Sequence, residues 1–246
     1  MSNTLKASIS LLPSLVRLGR GAVAKGHRKA PVQSLELYEG EYCPYCRYVR
    51  EALTELDLDA KIYPVPKKGL RFSKVLMELG GKKTVPFLHD PNTGTKLYDS
   101  QAIVDYLYKE YANAGMAAPH RMLQLSLYAT LLRGTAGMFA KPSKAPAQPL
   151  ELYSFEASPY ARLVRETLCE LELPYLLHNV GKGSGRLAEW APPGTRKDYE
   201  PPTENRRKLK ERGGTMMVPY LIDPNTGVAM YQSADIQRYL MQTYGA

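Results

Sequence analysis

Apolar and polar residues alternate through Leu35–Glu39, the two-residue period of a half-buried strand. The period then changes. From Tyr45 to Leu56, Val49, Leu53 and Leu56 fall on one helical face, and Pro44 stands at the first helical position, where its missing N–H is no loss. Ala60–Val65 predicts a second strand, and Leu70–Leu79 a short helix stopped by Gly80-Gly81. Thr84–His89 and Thr95–Tyr98 predict two strands joined by Asp90-Pro91-Asn92-Thr93-Gly94, a run of turn-forming residues. Ser100 is expected to cap a last helix reaching Tyr111. The resulting order is βαβαββα.

The pattern occurs twice. Leu35-Glu36-Leu37-Tyr38 returns as Leu150-Glu151-Leu152-Tyr153, and 35–58 shares 15 of 24 positions with 150–173. The stretch 80–112 returns at 213–245. The offset grows from 115 to 133 between the two blocks, so the second copy carries 18 extra residues there. The fold class that follows is α/β, with two tandem thioredoxin-like domains. The expected layout is a helical lead-in arm over 1–34, a first domain over 35–112, a helical linker over 113–149 and a second domain over 150–246. Apolar stretches at Leu11–Gly19 and Met122–Gly134 are the expected lead-in helices. The region Gly181–Gly214, with Trp190, Pro192-Pro193 and Arg206-Arg207-Lys208, reads as a solvated loop and helix, with a lid or a docking surface as alternatives.

Composition narrows the classes. With 44% hydrophobic and 23% charged residues, the chain is of the ordinary globular kind, and no run is long enough to span a membrane as a helix. The net charge of +9 sits mostly in 1–34, which holds six Lys and Arg and no acid. The body is nearly balanced, which argues against a nucleic-acid partner. An acid-free arm also has the composition of a transit peptide, so a plastid location stands as the alternative to a cytoplasmic one.

Three cysteines are too few for a disulfide-stapled scaffold, and two are spaced as Cys43-Pro44-Tyr45-Cys46 at a strand-to-helix junction. There the free N–H groups and partial positive charge of a helix N-terminus favour a thiolate, so Cys43 is the candidate nucleophile. Cys46, one turn on, is placed to resolve a mixed disulfide. Structural zinc would want four ligands, and no second Cys-x-x-Cys or His pair exists, so no metal is expected. In the second copy Cys43 becomes Ser158 and Cys46 becomes Ala161, which excludes dithiol chemistry there. Cys169 reads as a small packed residue.

Cys-Pro-Tyr-Cys resembles the active-site motif of dithiol glutaredoxins. The module around it resembles the N-terminal domain of glutathione transferases. Val85-Pro86 resembles that family's cis-proline element, and Tyr98-Asp99-Ser100-x-x-Ile103-x-x-Tyr106-Leu107 its acid–serine motif. The resemblance implies glutathione as co-substrate, held by Tyr45, Val85, Pro86, Asp99 and Ser100. For the second copy, Ser158-Pro159-Tyr160 with Arg162 and Arg165 resembles serine-type transferases. There the implied glutathione-binding residues are Ser158, Tyr160, Val218, Pro219, Gln232 and Ser233, with Gln232 in place of an acid; a purely structural second copy is the alternative.

The resemblance would also bring an all-helical C-terminal domain, and only 113–149 separates the copies. The reading is therefore a glutathione-dependent thiol–disulfide oxidoreductase acting on a disulfide or glutathionylated protein; the oligomeric state stays open, with an intramolecular pseudo-dimer of the two copies as one option. Alternatives are a transferase using Ser158 and a non-catalytic glutathione-binding adaptor. Iron–sulfur carriage by Cys43 with glutathione is less favoured by Cys-Pro-Tyr-Cys.

Overall fold

The structure, a computed structural model, describes residues 20–27, 29–120, 135–183, 200–201 and 203–246. The expected lead-in helices at 11–19 and 122–134, and Trp190 with Pro192-Pro193, lie outside the described residues.

The chain begins with a two-residue strand, β1 (Val23–Ala24). The first half then runs β2 (Leu35–Glu39), α1 (Pro44–Glu55), β3 (Ala60–Pro64), α2 (Arg71–Gly80), β4 (Phe87–Asp90), β5 (Thr95–Tyr98) and α3 (Ser100–Tyr111). The second runs β6 (Leu150–Ser154), α4 (Pro159–Glu170), β7 (Tyr175–Asn179), β8 (Lys182–Gly183), α5 (Glu204–Gly213), β9 (Tyr220–Asp223), β10 (Val228–Tyr231) and α6 (Ser233–Tyr244). Both halves are thioredoxin-like, as the repeat predicts. The strand at β4 starts later than its apolar pattern suggests, because Pro86 has no N–H to give to a ladder. Arg206-Arg207-Lys208 belong to α5, which is the repeat counterpart of α2 and so part of the module itself.

All eight long strands form one sheet in the order β10-β9-β6-β7-β3-β2-β4-β5. Within each half the first two strands are parallel and the rest antiparallel. The halves meet where β3 and β7 pair antiparallel: Ala60 faces Leu177, Lys61 faces Leu176, and Ile62 faces Tyr175. Lys61 and Leu176 are equivalent residues of the repeat, and the pairs on either side exchange equivalents. An approximate two-fold axis therefore passes through that pair, the self-complementary arrangement of a symmetric dimer within one chain.

The connecting segments cross over. β1 pairs with β8 of the second half. The linker returns the exchange: the Lys67 N–H donates to the Met138 carbonyl at 2.7 Å, and the Ala140 N–H to the Lys67 carbonyl at 2.9 Å. Lys67 and Lys182 are repeat equivalents. Glu172 of the second half also accepts from the Arg71 N–H at 3.0 Å, satisfying a free donor where α2 begins.

One sheet face carries α1, α3, α4 and α6 over a single apolar core shared by both halves, including Leu37, Val49, Leu53, Ile103, Leu152, Val164 and Ile236. On the other face α2 covers Tyr38, Val65 and Phe87, and α5 covers Tyr153, Val180 and Tyr220. The predicted turn is locked in duplicate. Asp90 accepts from the hydroxyls of Tyr106 and Tyr111, and Asp223 from Tyr239 and Tyr244.

Candidate functional site

α1 begins where β2 ends, so the cysteines lie at the C-terminal edge of the sheet. Cys43 is the N-cap, and its Sγ accepts from the Cys46 N–H at 3.4 Å. Pro44 follows at the first helical position. The thiol is buried but for a small opening, 7% exposed, whereas Cys46 is fully enclosed. Their environments separate them. The Cys46 thiol and the N–H groups of Cys46 and Tyr45 hold the Cys43 thiol below its ordinary pKa, outweighing burial and the nearby Glu39 charge. Burial, reinforced by Cys43 and Glu39, pushes Cys46 well above its own. The pair is thus asymmetric, with Cys43 the more readily ionised of the two sulfurs.

Asp99, with φ 70°, is the N-cap of α3, and its Oδ1 accepts from the N–H groups of Gln101 and Ala102 at 2.9 and 3.1 Å. Ser100, expected as the cap, is instead the first helical residue and is buried. The carboxylate takes the capping role because it reaches two free donors at once. The Val85–Pro86 peptide is cis, and so is Val218–Pro219.

In the second half Ser158 caps α4, its Oγ accepting from the Ala161 N–H at 3.3 Å, as Cys43 does for α1. Beside it a cavity of about 410 Å³ is lined by Tyr160, Met217, Val218, Pro219, Tyr231, Gln232 and Ser233. Five of the six residues proposed from sequence for this half therefore line one cavity. Ser158, 3% exposed, does not. By the repeat, Tyr45, Val85, Pro86, Asp99 and Ser100 are the first-half equivalents of Tyr160, Val218, Pro219, Gln232 and Ser233. Gln232 sits at the Asp99 position with φ 71° but makes no side-chain cap.

The family model for the glutathione S-transferase N-terminal domain matches residues 37–115 and again 152–246. The chain belongs to this family. It is accordingly a glutathione transferase-related protein of thioredoxin fold, and the family is consistent with glutathione as co-substrate. Among solved structures, the chain is similar to the Bombyx mori glutathione transferase BmGSTD1, with 26% identity over 38% of this chain and 43% of that one, and a TM-score of 0.33. It is also similar to Leishmania TDR1, a trimeric glutathione transferase, with 12% identity over 87% of this chain and 68% of that one, and a TM-score of 0.29. The chain thus spans less than half the length of the silkworm enzyme. No curated protein matches it.

Against this family pattern, two features were not legible in sequence. Arg162 and Arg165, grouped with the serine motif by resemblance, do not line the second cavity. With Arg47 and Arg50 of α1 they are buried between the halves among Glu39, Glu41, Glu51 and Glu156. Arg50 lies 3.1 Å from Glu41 and 2.8 Å from Glu156, and Arg165 lies 3.1 Å from Glu41 and 2.9 Å from Glu156. Cys169 is packed, as expected, but against the loop before Cys43 in the other half: the Glu41 N–H donates to its Sγ at 3.5 Å. Its repeat equivalent, the Thr54 hydroxyl, accepts from the Glu156 N–H at 3.3 Å. Among the described residues, no group of three or more His, Cys, Asp or Glu is arranged to hold a metal ion, and no helix is long and apolar enough to cross a membrane.

Proposed function

We propose that the chain is a glutathione-linked thiol–disulfide oxidoreductase of the glutaredoxin kind, with its redox chemistry in the first half. The observation that carries this reading is the Cys43 sulfur at the start of α1, accepting from the Cys46 N–H and held below its ordinary pKa. The thiolate is the attacking species in disulfide exchange, and a lowered pKa raises its share. Cys43 attacks the disulfide of a glutathionylated protein, the protein thiolate leaves, and Cys43 carries glutathione as a mixed disulfide. A second glutathione, or Cys46, then releases it.

In this reading Val85, next to Pro86, offers its backbone to the cysteinyl part of glutathione. Ser100 and the N–H groups that open α3 hold the γ-glutamyl carboxylate, Asp99 faces the amino group, and Tyr45 borders the sulfur. Replacing Cys43 by Ser should abolish reduction of a glutathionylated test protein. Cys46→Ser should keep the route through a second glutathione. Turnover by the Cys43→Ser variant would overturn the assignment.

The cavity of about 410 Å³ favours a second reading for the second half. It lies within the usual range for small-ligand sites, roughly 300–1,000 Å³. Glutathione binding there would survive loss of Cys43. Conjugation of an electrophile by the Cys43→Ser variant would mark a transferase using Ser158, and binding without turnover would mark an adaptor.

A further inference from the structure

Next to Cys43 the two halves differ in their surface. Tyr42 precedes Cys43 in the chain, and the Lys67 ammonium lies over the Tyr42 ring, 5.8 Å from its centroid. Lys67 pairs in turn with Phe139 of the linker, whose neighbours Met138 and Ala140 bond to the Lys67 backbone at 2.7 and 2.9 Å. The Lys68 ammonium lies over the Phe139 ring at 5.7 Å. Two lysines and two aromatic rings thus form one continuous strip that starts at the residue before Cys43. Both lysines are exposed, and so is Phe139. Among the described residues, no carboxylate stands within ion-pair distance of either lysine. Lys141, two residues past Phe139, is by contrast paired with Glu170 at 2.5 Å.

The second half does not repeat the strip. By the repeat, Ala157 stands for Tyr42 and Gly183 for Lys68. Val23 stands for Phe139, since it pairs with Lys182 as Phe139 does with Lys67. Of the four residues only the Lys67 position keeps its identity, as Lys182. Lys68 is also held against backbone preference. Its φ is 64°, in the left-handed region that glycine adopts freely and a side chain makes costly. A lysine kept there, where the other copy has glycine, calls for a use of its side chain.

We propose that this strip docks an acidic polypeptide segment, the stretch that flanks the disulfide of a protein substrate. The proposal rests on the oxidoreductase reading above and narrows its substrates to proteins with carboxylates near the reacting cysteine. The Cys43 sulfur shows only a small opening, so a protein disulfide reaches it with its own chain laid across the rim. An extended substrate advances about 3.4 Å per residue, so side chains a few positions from its cysteine fall on the strip. The rings hold both ammonium groups in place before the partner arrives, which lowers the ordering cost of binding. Carboxylates meet the two ammonium groups, and an aliphatic stem covers Phe139. Two fixed positive charges at the rim also speed the encounter with an acidic partner and slow that with a basic one.

The test uses two glutathionylated peptides that share one cysteine, flanked on both sides by Asp in one and by Lys in the other. A neutral small disulfide, bis(2-hydroxyethyl) disulfide, is the reference. With glutathione as reductant, the native protein should reduce the acidic peptide with kcat/KM about 10-fold above the basic one, the worth of two exposed ion pairs. The preference should shrink in about 0.5 M salt. Lys68→Gly should weaken it through KM, and Lys68→Glu should reverse it, both with the neutral disulfide turned over at the native rate. Lys68→Gly should also melt no lower than the native protein, because it relieves the backbone, so its loss of preference is not damage to the fold.

Equal kcat/KM for the two peptides in the native protein would overturn the proposal. So would an equal loss on the neutral disulfide in the Lys68 variants, which would make the lysine a contact of glutathione itself. If neither peptide nor the neutral disulfide turns over, the oxidoreductase reading fails. Docking is then read from fluorescence anisotropy of the acidic peptide with Ser in place of its Cys. Binding that is lost in Lys68→Glu upholds the strip, and absence of binding to the native protein overturns it.

Discussion

At the scale of residues, the ionic groups between the halves behave unlike charges on a surface. Arg50 is enclosed and shared among Glu39, Glu41 and Glu156. Removing a buried partner strands charge in a poor solvent, which typically costs about 3–5 kcal/mol. Arg50→Met should lower the denaturation midpoint by that order. Lys208→Ala, which breaks the exposed pair with Glu204, should change stability by less than about 1 kcal/mol. Equal effects in denaturant titrations would argue against a tightly coupled cluster. Sequence reading placed Val49, Leu53 and Leu56 on one face of α1, and Arg47, Arg50 and Glu51 are buried as well. The helical period was read correctly. What it could not reveal is that α1 is enclosed on both faces, because the second covering surface comes from residues more than a hundred positions away.

At the scale of elements, β7 shows how a strand ties the halves by charge as well as by its ladder. His178 stacks on Tyr153 at 4.5 Å, and its ring nitrogens lie 2.6 Å from Asp59 of the first half and 3.2 Å from Glu151 of its own. Burial alone would depress its pKa, but the two carboxylates outweigh burial and hold it near about 9. The folded value lies above the ordinary 6.5. The stability it contributes is therefore fully present below about pH 6.5 and is lost as pH rises through about 9. At about 1.4 kcal/mol per unit this amounts to roughly 3 kcal/mol at most. The melting temperature of the native protein should decline across that window, and His178→Phe should flatten the decline. A parallel decline in both proteins would place the titration elsewhere. The strand itself was legible from its apolar run. Its pairing with β3 was not, since pairing between the two copies leaves no local trace.

At the scale of the whole molecule, the duplication has become a symmetric body rather than two beads on a string. The sheet is continuous through β3 and β7, the apolar core spans both halves, and the connecting segments are exchanged between them. An interface of this kind does not depend on the covalent link. Polypeptides 20–120 and 135–246 produced together should therefore associate and elute as one species of the intact size. Two separate monomeric halves would contradict the shared core. The site around Cys43 is tied to the arrangement: Glu41, in the loop before Cys43, is held by Cys169 and Arg165, both from the other half. The serine-bearing copy thus supports the cysteine-bearing one whatever its own cavity binds.

The sequence by itself determined the duplicated βαβαββα order, the strand-to-helix junction that places Cys43 at a helix N-terminus, and the loss of both thiols in the second copy. These are local properties. They depend on periodicity, on turn and capping chemistry, and on residue identity within a dozen positions. The joining of two sheets into one, the crossing of the connectors and the burial of four arginines beside the loop before Cys43 were decided only by tertiary structure. Each depends on which surfaces meet across the two-fold axis. That meeting reflects the shape and burial of the whole chain, which no local pattern records.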